Sequence, residues 1–96
     1  MNRQDALDTL TRVKPELTGR FGVTRLALFG SMARDDANQR SDVDVLVAFD
    51  GPATSSKYFG VQFMLEDLFG CSIDLVTEKA LRPELRTYIE NEAIYV

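Results

Sequence analysis

Asp42-Val43-Asp44-Val45-Leu46-Val47-Ala48-Phe49 is the stretch on which the fold turns. Its β-branched content predicts a strand, and Asp50-Gly51-Pro52 supplies turn residues to end it. Residues two apart on a strand share a face. Asp42 and Asp44 therefore point to one side, and Val43, Val45 and Val47 to the other, toward apolar cover.

On the N-terminal side of this strand, Ala6, Leu7, Leu10, Val13 and Leu17 recur at helical spacing over residues 3–18. Gly19 is the expected stop, and Pro15 is expected to kink or shorten the last turn. Val23 to Phe29 predicts a strand that runs into Gly30-Ser31. Residues 31–34 read as the first turn of a helix, and the polar residues 35–41 as a loop. On the C-terminal side, Ser55 or Ser56 is the expected cap of a helix carrying Phe59, Phe63, Leu65, Leu68 and Phe69 before Gly70. Ser72 to Val76 predicts a third strand, and Thr77 is the expected cap of a final helix reaching about Asn91, with Pro83 early in it. Ala93 to Val96 is an optional last strand. The order αβ(α)βαβα predicts an α/β (α+β) sandwich, with helices against a small sheet. At 96 residues the chain is expected to be one domain spanning 1–96.

Composition removes whole classes of chemistry. There is no His, which excludes Ser-His-Asp and Cys-His catalysis and Cys/His zinc fingers. Cys71 is the only cysteine, so no intrachain disulfide forms. It reads as a small buried hydrophobe. The longest apolar run, Val45 to Phe49, is far short of a membrane span, and the N-terminus lacks a signal-peptide layout. A cytoplasmic protein with no membrane partner is expected. Fifteen acids against 11 bases give a net charge of −4, which argues against direct binding of long nucleic acid.

Three aspartates carry the candidate chemistry: Asp42, Asp44 and Asp74, the last inside the third strand with Ile73 and Leu75 on its other face. A carboxylate within an apolar strand is costly unless paired, and three together require a cation. Without His, the ligands are oxygens and a hard ion is expected, Mg²⁺ or Mn²⁺ as a substitute. Salt bridges to Arg25, Arg34 or Arg40 are the plainer alternative. Gly30-Ser31, where a strand passes into a helix start, suits a phosphate grip: glycine permits close backbone approach, and amides with the Ser31 hydroxyl hold phosphate oxygens. Tyr58, Phe59, Phe63 and Phe69 read as core aromatics, and any left exposed as partner surface.

Gly30-Ser31, ten residues, then Asp42-Val43-Asp44 resembles the GSx10DxD signature of the DNA polymerase β-like nucleotidyltransferases. FGSMAR, SDVDVLV and the closing VTEKALRPELRTYIENEAIYV are similar to the minimal nucleotidyltransferase (MNT) group. Asp35 stands where members of that group often have glycine. The resemblance implies a polymerase β-like mixed sheet flanked by helices. It implies that Asp42, Asp44 and Asp74 bind two Mg²⁺ ions, with Asp74 also helping to deprotonate the acceptor hydroxyl. Gly30 and Ser31 would hold the β and γ phosphates of ATP, with Arg34 or Arg40 as candidate phosphate contacts. It also implies the antitoxin half of a HEPN/MNT pair, transferring AMP from ATP to a tyrosine of a HEPN ribonuclease toxin. Two other readings stay open: an antitoxin that acts by occlusion alone, and a nucleotidyltransferase with a small-molecule or RNA acceptor.

Overall fold

The computed structural model describes residues 1–35 and 42–96. Most of the expected polar loop, Arg40 included, lies outside the described residues. The elements run α1 (Arg3–Phe21), β1 (Val23–Phe29), α2 (Gly30–Ala33), β2 (Val43–Phe49), α3 (Ser55–Phe69), β3 (Ile73–Thr77), α4 (Pro83–Glu92) and β4 (Ile94–Tyr95). A 3-10 turn, Glu78–Ala80, joins β3 to α4.

Helix α1 starts on a reciprocal cap: the Asp5 amide donates to Asn2 Oδ1 at 2.8 Å, and the Asn2 amide donates to Asp5 Oδ2 at 3.4 Å. It then runs through Pro15 and Gly19 to a left-handed cap at Gly22, longer than the sequence predicts. Pro15 is solvent-exposed, so its missing N–H costs the helix no core contact. Thr54, not Ser55 or Ser56, caps α3, its hydroxyl accepting from the Lys57 amide at 3.3 Å. Thr77 caps only the 3-10 turn, and α4 begins at Pro83, whose fixed φ suits the first helical position.

The four strands form one mixed sheet in the order β3-β2-β1-β4. β1 lies antiparallel to both β2 and β4, while β2 and β3 are parallel. The crossover between β2 and β3 is α3. Alternation along each strand divides the cover. Leu26, Leu28, Val43, Val45 and Val47 meet α1 and α3 through residues such as Leu10, Leu17, Val61 and Leu65. Ala27, Phe29 and Leu46 face the other way and meet Val76, Leu81, Ile89 and Ala93. One sheet face is thus closed by two helices, and the other only partly, by α4. No helix among the described residues is long and apolar enough to cross a membrane.

Two core expectations need correction. Phe69 is buried and Tyr58 partly so, its hydroxyl donating to the Leu75 carbonyl, but Phe59 and Phe63 are 48% and 60% exposed. Their rings stack on each other at 6.0 Å, on the side of α3 turned from the sheet. A 15-residue helix on a small sheet has only one stripe to bury, so an aromatic-rich sequence overfills it. Cys71 is exposed, because it sits in the turn before β3 and not within the strand.

Candidate active site

The site is built where three strand ends meet. β2 and β3 are parallel and in register, with Asp44 directly beside Asp74. Adjacent strands lie about 4.8 Å apart, so the two carboxylates are neighbours on the α4 side of the sheet. On the other flank of β2, Asp44 pairs with Phe29, the last residue of β1. The chain leaves β1 at Gly30 with φ +72°, and a Cβ there would overlap the Asp44 carboxyl group. Glycine is required on both counts, backbone angle and space. Ser31 follows, half-buried in the first turn of α2.

The electrostatics show the strain of bringing these acids together. Burial first, then a hydrogen bond with Asp74 and the charges of Asp74 and Asp42, push Asp44 up to about 6, against the pull of the Arg34 guanidinium. Two carboxyl groups hydrogen-bond only when one holds a proton. Asp42, just before β2, is exposed and acts on Asp44 through its charge. Among the described residues no three Cys, Asp or Glu side chains stand as a ready-made metal-ligand set. The structure therefore brings Asp44 and Asp74 together as a pair and leaves Asp42 at the rim.

The donor set fits a hard divalent ion. It is all oxygen, the Asp44 carboxyl lies against the bare backbone of Gly30, and the raised proton affinity of Asp44 marks an excess of negative charge that a cation would offset. The salt-bridge alternative is met elsewhere for one arginine: Arg25 Nε lies 3.3 Å from Glu78 Oε2, in the 3-10 turn that precedes α4. Arg34 Nη1 lies 3.2 Å from Glu92 Oε2. That Glu92 reaches this site is not read from the sequence; the only signal was its place in the closing IENEAIYV. A groove of about 720 Å³ between α1 and α3, lined by Val13, Phe21, Phe63, Met64 and Leu68 among others, is on the opposite sheet face and takes no part in this cluster. Desolvation and the Asp42 charge push the exposed Cys71 thiol up, disfavouring the reactive thiolate.

The four-stranded mixed sheet with its flanking helices matches the fold of a minimal nucleotidyltransferase. The chain belongs to the nucleotidyltransferase domain family, which it matches over residues 10–96, and it is an enzyme of that class. It is 38% identical over 87 residues to the protein adenylyltransferase MntA of Thermococcus cleftensis, covering 91% of this chain and 88% of that one. A solved structure assigned to the minimal nucleotidyltransferases superposes with a TM-score of 0.83 at 36% identity, covering 98% of this chain and 95% of the other. The fold also recurs, with a TM-score of 0.69 at 14% identity over 97% of this chain and 70% of that one, in the structure of a tri-AMPylated Shewanella oneidensis HEPN toxin in complex with MNT antitoxin.

Proposed function

We propose that the chain transfers AMP from ATP to a tyrosine hydroxyl on a HEPN-domain ribonuclease toxin and so acts as its antitoxin. The observation that carries this reading is Asp44 seated beside Asp74 on adjoining strands and set against the Gly30 bend, with the Asp44 carboxyl pushed up by burial and by Asp74. The likeness to a protein adenylyltransferase supports the choice of a protein acceptor.

In this reading Asp42, Asp44 and Asp74 hold Mg²⁺, with Mn²⁺ as a substitute, and Gly30 and Ser31 hold the β and γ phosphates. The bound ions supply charge neutralisation at the triphosphate and its leaving group. The Gly30 bend keeps side chains out of the phosphate path, and the Ser31 hydroxyl donates to a phosphate oxygen. Asp74, more exposed than Asp44, faces the incoming acceptor and takes its proton. The tyrosine oxygen forms a bond to the α-phosphorus, the bond to the bridging oxygen breaks, and pyrophosphate leaves. Setting a base on β3 and a phosphate grip at the start of α2 on either side of Asp44 makes proximity a large part of the rate.

The experiment is incubation of the chain with α-labelled ATP, Mg²⁺ or Mn²⁺, and the HEPN protein encoded beside it. A mass increment of AMP on a tyrosine of that protein, lost with Asp44→Asn, is the expected result. Full neutralisation of the toxin by Asp44→Asn with no label on it would replace this reading with occlusion. Absence of transfer by the wild type at every metal level would remove it.

A further inference from the structure

We propose that Glu92 is a positioning residue for nucleotidyl transfer, clamping the phosphate-side bend from the far end of the chain. The idea rests on the nucleotidyltransferase reading above and adds a residue to it. Helix α2 is only four residues long, and its cap residue, Phe29, has no side chain able to accept a hydrogen bond. The Gly30 amide at its start needs an acceptor, and Glu92 Oε1 takes that hydrogen at 3.0 Å across 62 residues of chain. The same carboxylate meets Arg34, at the other end of α2, at 3.2 Å through Oε2 and 3.5 Å through Oε1. One side chain thus ties down both ends of the short turn that follows β1.

The consequences reach the reacting groups without Glu92 touching them. Gly30 lies against Asp44, so a shift of the bend moves the space in which the Asp44 carboxyl sits. Arg34 acts on Asp44 through its charge, so whatever fixes the guanidinium also fixes that field. Glu92 is only 19% exposed, which strengthens both charge-assisted contacts. α4 is itself held at its other end, where Arg86 reaches the buried Glu78. It serves as a strut, with Glu92 as its working end. A Gln at position 92 keeps an acceptor for the Gly30 amide but loses the charge facing Arg34, so the two contacts are separable.

The test compares wild type, Glu92→Ala, Glu92→Gln and Arg34→Met, alone and combined. Three readouts are used: melting temperature, binding of a non-hydrolysable ATP analogue with Mn²⁺, and the split of AMP transfer into KM and kcat. Glu92→Ala should weaken analogue binding and lower kcat/KM by about ten- to a hundredfold, the scale of a small misplacement near the chemistry. Glu92→Gln should recover part of the loss, and Arg34→Met should add little on top of Glu92→Ala. If Glu92→Ala is too unstable to assay, Glu92→Gln and Arg34→Met must each still lower kcat/KM. Wild-type binding and transfer by Glu92→Ala, or additive losses with Arg34→Met, would overturn the proposal. So would tighter analogue binding, which would make Glu92 a tenant of the nucleotide's place. A wild type that neither binds nucleotide nor transfers it fails the functional reading, a result plainly different from an active wild type with an indifferent Glu92→Ala.

Discussion

At the residue scale, the cost of the site is concentrated in Asp44. Its carboxyl is raised to about 6 from an ordinary value of 3.8. Between those values the folded chain binds the proton that the unfolded chain has released. The stabilisation from the shared proton is therefore complete below the unfolded value and is lost as pH rises through about 6. Asp44→Asn replaces the ionised group by a neutral one of the same shape. It should raise the melting temperature of the metal-free chain at pH 8 and leave it nearly unchanged well below the ordinary value of 3.8. In the proposed function it should also cut transfer about a hundredfold or more, the scale of losing one electrostatic stabiliser. Thermal unfolding at the two pH values, beside a transfer assay, checks both halves; equal gains at both pH values would show that repulsion is not the cause. Asp35 offers a second, milder case. It holds φ +63°, a left-handed angle that asparagine and aspartate tolerate and glycine prefers. Its contact with Arg3 is a 4.0 Å pair between two exposed groups, which contributes little. Asp35→Gly should stabilise the chain by about 0.5 kcal/mol, read as a higher urea midpoint at unchanged slope.

At the element scale, α1 and α3 approach so closely that Gly60 is pressed on the Phe21 ring, where a Cβ would overlap the ring carbons. In an open helix, glycine to alanine gains about 1 kcal/mol. Here Gly60→Ala should instead cost about 1 kcal/mol, because the Phe21 ring must swing and give up its place under Arg20. In a Phe21→Ala background the same change should turn stabilising, and a double-mutant cycle by urea unfolding measures the difference. Most elements were legible because each has a signal of its own: a β-branched run for β2, helical spacing for α1 and α3, and the glycine stop at Gly70, whereas α1 runs past the expected stop at Gly19 to Gly22. What the sequence misread has local causes. Pro15 does not break α1, because it lies on the wet side, and Thr77 starts a 3-10 turn because Pro83 sets the helix start six residues later. The pairing of Asp44 with Asp74 depends on strand register, which the hydrophobic pattern of β2 and β3 implies by parity. The reach of Glu92 depends on how α4 crosses the sheet, and no local pattern encodes that.

At the scale of the whole molecule, the last residues close the structure that the first ones open. β4 adds to the free edge of β1, with Ala27 opposite Tyr95 and Leu28 opposite Ile94. The Val96 amide donates to the Leu26 carbonyl at 3.0 Å, and Lys14 Nζ on α1 donates to the Val96 carbonyl at 2.7 Å. Ile94 and Val96 also pack against the larger core. Removing residues 94–96 takes away two partly buried apolar side chains and several ladder and charge-assisted bonds, a loss of about 3 kcal/mol. For a domain this small, that lowers the melting temperature by more than ten degrees but leaves it folded at 25 °C, given a usual stability of 5–15 kcal/mol. Glu92 sits only two residues before the deleted strand, so the clamp on Gly30 loosens with it. The truncated chain should therefore lose transfer at temperatures where circular dichroism still reports a folded domain. Raising the concentration of a bound ATP analogue should recover part of the melting temperature, because a ligand that binds only the folded state stabilises it by mass action. Equal survival of fold and transfer at every temperature would mean that β4 serves the sheet alone and that the site is positioned without it.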